Sequence, residues 1–74
     1  SSGVVEELIQ EIGKDYTVVV VTHNLAQAKR ISHRTAFFWW CYGAGCLMEE
    51  GETRRLFLEP RSPETLRYIQ SERV

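Results

Sequence analysis

The sequence predicts a small α/β unit, and three observations carry that expectation. Val18 to Val21 form an unbroken apolar run inside the stretch from Tyr16 to Thr22. A strand that does not alternate reads as one covered on both faces, as at the centre of a parallel sheet. Helical patterns stand on either side of it. Further along, "RTAFFWW" and "CLMEE" flank a glycine-containing turn, which reads as a hairpin. The expected architecture is therefore a parallel core strand plus a hairpin, with flanking helices.

The chain has 74 residues, one small domain at most. A domain that short buries only about 60% of the surface its unfolded chain exposes. It offers few elements to cover both faces of the valine strand, so the chain reads as part of something larger. No apolar run approaches the roughly 20 residues that span a bilayer. The start is polar and then acidic, unlike a secretory signal. A formal net charge of -1 argues against a nucleic-acid partner.

The first helix is expected from Val4, Val5, Leu8, Ile9 and Ile12 at helical spacing, with Glu6, Glu7, Gln10 and Glu11 on the opposite face. Ser1 or Ser2 can cap it, and Gly13 with Lys14 and Asp15 ends it. After the valine strand, Asn24 is placed to cap a second helix, with Gln27 three residues on in a capping-box-like arrangement. Leu25, Ala28 and Ile31 give that helix a narrow apolar stripe, and it ends near Ser32.

The hairpin runs from Arg34 to Trp40, turns over Tyr42 to Gly45, returns from Cys46 to Glu50 and closes at Gly51. Thr53 is a candidate cap for a short helix holding Leu56 and Phe57, stopped by Pro60. Ser62, Pro63 and Glu64 announce a last helix: a cap, a proline at the first helical position, then an acid. Leu66, Tyr68 and Ile69 give it an apolar side narrow enough to pack on its own domain.

His23 is the candidate functional residue. In open α/β sheets, ligands sit outside the carboxyl ends of the strands. A helix starting there directs free backbone N–H groups to the same place. An imidazole at that junction can donate a hydrogen bond to a phosphate or polarise a water. The alternative is a histidine that caps or packs at a strand end, and no second residue in the chain stands out as its catalytic partner.

Other constellations are weaker. Cys41 and Cys46 with His23 and His33 do not have the spacing of a zinc site, and no metal site is expected. The two cysteines could pair across the hairpin on oxidation, but two reduced thiols are the default. Phe37, Phe38, Trp39 and Trp40 are expected to place alternate rings in a core and the rest against a neighbouring element; the alternative is a membrane-facing or partner-facing patch. Arg54, Arg55, Arg61 and Arg67 are expected to be solvated.

"YTVVVVTHNLAQAKRIS" resembles the segment of ABC-transporter ATPases that carries the switch histidine. "RTAFF", a glycine turn, "LMEEGET", "LFLEP" and "TLRYIQ" follow in the order found in the ATP-binding subunit of bacterial phosphate importers. "THN", "TAFF" and the spacing of Thr65, Tyr68 and Ile69 are its closest marks, and the resemblance covers nearly the whole chain. It implies that residues 1–74 are a C-terminal fragment of an ABC-type, P-loop nucleotide-binding domain. It implies that His23 contacts the ATP γ-phosphate and helps set the attacking water, serving as both a catalytic and a nucleotide-binding residue. Ser1 would lie just after the D-loop.

The resemblance further implies a parent that uses ATP and Mg²⁺, pairs with a second nucleotide-binding domain as a homodimer, and binds transmembrane permease subunits. That parent would sit peripherally on the cytoplasmic face of the bacterial inner membrane. The chain shows no G-x-x-x-x-G-K-S/T phosphate loop (Walker A), no ABC signature, no Walker B strand and no glutamine loop. Phosphoryl transfer needs the phosphate-loop lysine, its amides and Mg²⁺. The fragment alone is expected to bind no cofactor and to be inactive. The hairpin is about four residues longer than the common form, an addition at a turn where insertions are cheap. The alternatives are a stand-alone, non-enzymatic α/β binding module and an ABC ATPase fragment serving another substrate.

Overall fold

The computed structural model describes residues 2–72. The order of elements is α1 (Ser2–Gly13), α2 (Leu25–Ile31), β1 (Arg34–Cys41), β2 (Ala44–Glu52), α3 (Thr53–Leu58) and α4 (Pro63–Glu72). Four helices and one hairpin make a small α/β arrangement. The suggested capping role of Ser1 lies outside the described residues.

Helix α1 forms where the 3.6-residue spacing predicts it and ends at Gly13. The chain turns there through Asp15 and Tyr16, whose N–H groups both donate to the Ile12 carbonyl at 3.1 Å. Val4, Val5, Leu8 and Ile12 remain exposed, so the apolar stripe of α1 is largely uncovered.

The expected parallel core strand does not form. Tyr16 to Thr22 carries neither strand nor helix. The described residues contain one sheet, of two strands in the order β1-β2. Val19 is 84% exposed and Val21 97%. The physical reason is that a strand exists through its ladder of inter-strand hydrogen bonds, and this segment has no neighbour to bond. β-branched residues favour a pleated, half-buried surface but do not create one.

Helix α2 is capped as its sequence predicts. The Asn24 Oδ1 accepts the Gln27 N–H at 3.0 Å, from the extended backbone of a cap residue. The reciprocal bond of a capping box is made by a different residue: the Asn24 N–H donates to Thr22 Oγ1 at 2.9 Å. Ser32 ends the helix, its N–H and its hydroxyl both donating to the Ala28 carbonyl.

The hairpin is antiparallel, with Arg34 opposite Glu52 at one end and Cys41 opposite Ala44 at the other. Its turn is shorter than expected. Only Tyr42 and Gly43 lie between the strands, with φ of 51° and 81°. Two consecutive left-handed residues are the signature of a type I′ turn, whose twist matches that of the strands. The register shifts between Phe37, opposite Glu49, and Phe38, opposite Leu47. Met48 is the extra residue, a β-bulge. Gly51 lies inside β2, opposite Thr35, rather than closing it. The Arg55 guanidinium lies where a Cβ of residue 51 would project, so close that a side chain there would displace it.

Thr53 was expected as a cap, yet it is the first helical residue of α3, and Glu52 before it makes no capping bond. Leu56 and Phe57 on that helix are the buried apolar residues, with Leu56 2% exposed. Helix α4 starts at Pro63, and the Ser62 carbonyl accepts the Leu66 N–H at 3.0 Å.

Candidate functional site

His23 stands between the unpaired valine segment and the capped start of α2. Its side chain is exposed. The downstream side of this junction is well held. Asn24 is fixed by the Thr22 hydroxyl and by the Gln27 amide, and its carbonyl accepts the Ala28 N–H at 3.1 Å. Helix α2 is in turn tied to α1 by a two-pronged contact, Arg30 Nε and Nη2 donating to the two oxygens of Glu6 at 2.9 and 2.7 Å. That hydrogen bonding, opposed by some desolvation and aided by the Arg30 charge, lowers the Glu6 pKa. A fork of this kind fixes direction as well as distance.

The other end of α2 is anchored by hydroxyls. Ser32 Oγ, Thr35 Oγ1 and Thr53 Oγ1 are mutually 2.7 to 3.0 Å apart. The Thr53 N–H donates to the His33 carbonyl at 3.0 Å. Thus α2, β1 and α3 meet at three small side chains that exchange hydrogen bonds. An open cleft of about 400 Å³ beside them is lined by Lys29, His33, Glu52, Arg54 and Leu58 among others.

A buried carboxylate forms the second polar centre. Glu49 on β2 accepts the backbone N–H of Arg61 at 3.0 Å and that of Ser62 at 2.9 Å. The Arg55 guanidinium closes on the same carboxylate. Burial alone would raise the Glu49 pKa. The two amides, the guanidinium and, weakly, the Thr65 hydroxyl outweigh that and hold it at about 2. The Thr65 hydroxyl is buried and makes no hydrogen bond of full geometry itself. Arg55, expected in solvent, is therefore a structural partner, with its side chain 23% exposed. Arg54, Arg61 and Arg67 do present exposed side chains.

Phe37, Trp39 and Tyr68 form the third feature. The Phe37 ring centroid is 5.0 Å from Tyr68 and 5.9 Å from Trp39. Phe37 and Trp39 share the face towards Tyr68 of α4, but the expectation of alternate rings in a core is met only in part. Phe37 is half-buried, Trp39 is 48% exposed, and Phe38 and Trp40 are exposed on the other face, because among the described residues the two-stranded sheet has no further element to cover them.

Among the described residues, no three metal-ligating side chains converge. Cys41 and Cys46 are both free thiols. The sequence reasoning missed Glu49. The signal available was an acid opposite Phe37 on the inward face of an amphipathic strand, but the two amides it binds are distant in sequence and leave no trace in its own neighbourhood.

Comparison with known proteins finds sequence similarity to one class, ATP-binding proteins of import systems. The particular relatives are phosphate import ATP-binding proteins. The chain is 49% identical to phosphate import ATP-binding protein PstB 1 of Nitrosococcus oceani, over 99% of the chain and 26% of that protein. It is 48% identical to PstB of Borreliella burgdorferi over 93% of the chain and 25% of the relative. It is 46% identical to PstB of Bacteroides thetaiotaomicron, with 93% and 26% covered. The chain is therefore similar to the ATP-binding subunit of bacterial phosphate import ABC transporters, as its motifs imply, and spans about a quarter of the length of these relatives. No known family profile matches it, and no solved structure does. Among the described residues, no helix is long and apolar enough to cross a membrane.

Proposed function

We propose that residues 1–74 are the C-terminal part of an ABC-type nucleotide-binding domain whose parent energises phosphate import. The observation that carries this is identity of 46 to 49% to three phosphate import ATP-binding proteins over nearly the whole chain. His23 is the switch histidine in this reading. It is exposed, directly precedes a capped helix, and is free to donate a hydrogen bond to a phosphate oxygen and to orient a water.

The residues present do not by themselves make a site for ATP and Mg²⁺. The chain has no phosphate loop, and among the described residues no cluster of metal-ligating side chains occurs. In this reading the fragment does not hydrolyse ATP on its own, because phosphoryl transfer needs the phosphate-loop lysine and amides, and His23 is the catalytic group it contributes to the parent. The parent would use ATP and Mg²⁺ and work as a dimer of nucleotide-binding domains. It would dock on permease subunits at the cytoplasmic face of the inner membrane. Closure over nucleotide would drive the permease, and phosphate itself would not touch this chain.

The exposed valines favour this reading over a stand-alone binding module, because a self-sufficient fold buries such a run. The test is His23→Ala in the intact importer. Turnover should nearly vanish while nucleotide binding largely survives. Full turnover in that variant refutes the role assigned to His23.

A further inference from the structure

The tip of the hairpin holds two thiols that the proposed ATPase role does not use. Paired residues of an antiparallel ladder share a face, and so do residues two apart on one strand. Cys46 is opposite Trp39, and Cys41 lies two residues beyond Trp39. Both sulfurs therefore project from the same face, at diagonal positions. Diagonal neighbours ordinarily lie about 7–8 Å apart at Cα, somewhat beyond the roughly 4.4–6.8 Å that a disulfide spans, so closure requires the strand ends to draw together. The Cys46 Sγ donates to the Cys41 carbonyl at 3.6 Å, so this sulfur leans towards the Cys41 backbone. Cys41 opposite Ala44 is the last rung of the ladder, and only Tyr42 and Gly43 follow. Little has to move for the two strands to draw together at this free end. Tyr42 is fully exposed, so the tip is open to solvent.

From this juxtaposition we infer that Cys41 and Cys46 form a reversible dithiol–disulfide pair, a modification site at the hairpin tip. The oxidant is a small disulfide such as oxidised glutathione. One cysteine thiolate attacks it, forming a mixed disulfide and releasing one glutathione thiolate. The second cysteine thiolate then attacks the protein-side sulfur of the mixed disulfide. The intramolecular bond forms and the second glutathione leaves. The two cysteine protons end on the two released glutathione thiols, so the protein loses two electrons and two protons and the glutathione disulfide gains them. Its nearness to Cys41, then burial, holds the Cys46 thiol above its ordinary pKa.

The test is a redox titration of the chain in reduced and oxidised glutathione, read by mass and by thiol count. The same titration is run on the chain unfolded in urea, where the short spacing alone sets the chance of closure. The native chain should lose two hydrogens without adding glutathione. Its effective thiol concentration should exceed that of the unfolded chain by about tenfold or more, the mark of groups held in place. Cys41→Ser and Cys46→Ser should each give only the mixed disulfide. Native closure no more favourable than unfolded closure overturns the inference, as does a native chain that stops at glutathione adducts or forms only intermolecular dimers.

Discussion

Replacing Glu49 with glutamine keeps the size of the side chain and removes its charge. The carboxylate accepts two backbone amides and the Arg55 guanidinium, and its pKa falls from 4.5 to about 2. At about 1.4 kcal/mol per unit, that displacement corresponds to about 3 kcal/mol favouring the charged, folded form. Arg55 is partly wetted, which reduces the figure to about 2 kcal/mol. Because the folded pKa lies below the unfolded one, this contribution is complete above pH 4.5. It is lost as the pH falls from there towards 2. Two measurements follow. The Glu49 side-chain carbon, followed by NMR, should titrate with a midpoint near 2. In Glu49→Gln, hydrogen-exchange protection of the Arg61 and Ser62 amides should drop about thirtyfold at neutral pH, the equivalent of about 2 kcal/mol of local stability. A midpoint near 4.5, or unchanged protection in the variant, refutes the account of this carboxylate as the clamp between β2 and α4.

Thr53→Val removes a hydroxyl that bonds both Ser32 and Thr35 and leaves those two with fewer partners. It should destabilise the α2–β1–α3 junction by about 1–2 kcal/mol, while Thr53→Ser should cost less, as read by amide exchange in β1. Tyr42 occupies a left-handed position, φ 51°, where asparagine is better tolerated. Tyr42→Asn should therefore strengthen the hairpin by about 0.5–1 kcal/mol, seen as slower amide exchange at Ala44 and Cys41.

Much of the local structure was legible because its causes are local. Apolar residues spaced over Val4 to Ile12, the Asn24 cap, and Ser62-Pro63-Glu64 each act within a single helix, and each element appears where the pattern puts it. The hairpin was legible as well, but its turn was not. Gly43 and Gly45 both offered permissive backbone, and the ladder continues through Gly45 instead of turning there. The valine segment shows the opposite case. Its composition expresses a preference for burial, and burial needs a partner that composition does not supply. Glu49, Arg55 and the three-hydroxyl junction were hidden for the same reason. Each depends on groups brought together from separate elements, and acids, arginines and hydroxyls in isolation read as solvated.

The valine segment also bears on His23. Part of the case for a well-placed histidine was rigidity on both sides: a fixed strand before it and a capped helix after it. Only the second condition holds here. From Asn24 onward, the Gln27 amide, the Glu6–Arg30 fork and the Ser32–Thr35–Thr53 hydroxyls tie α2 to its neighbours. Upstream, the exposed valines have no ladder to hold them. A hydrogen bond to phosphate needs heavy atoms within about 3.2 Å of each other. Among the described residues, no strand ladder constrains the backbone before His23. Pairing of the valine segment with neighbouring strands would supply the missing constraint and would bury four β-branched side chains, each worth about 1.5–3 kcal/mol on full burial. The element that lacks a partner in this chain is thus the one that would position His23, and under the proposed function assembly of the sheet and activity at His23 would be a single event.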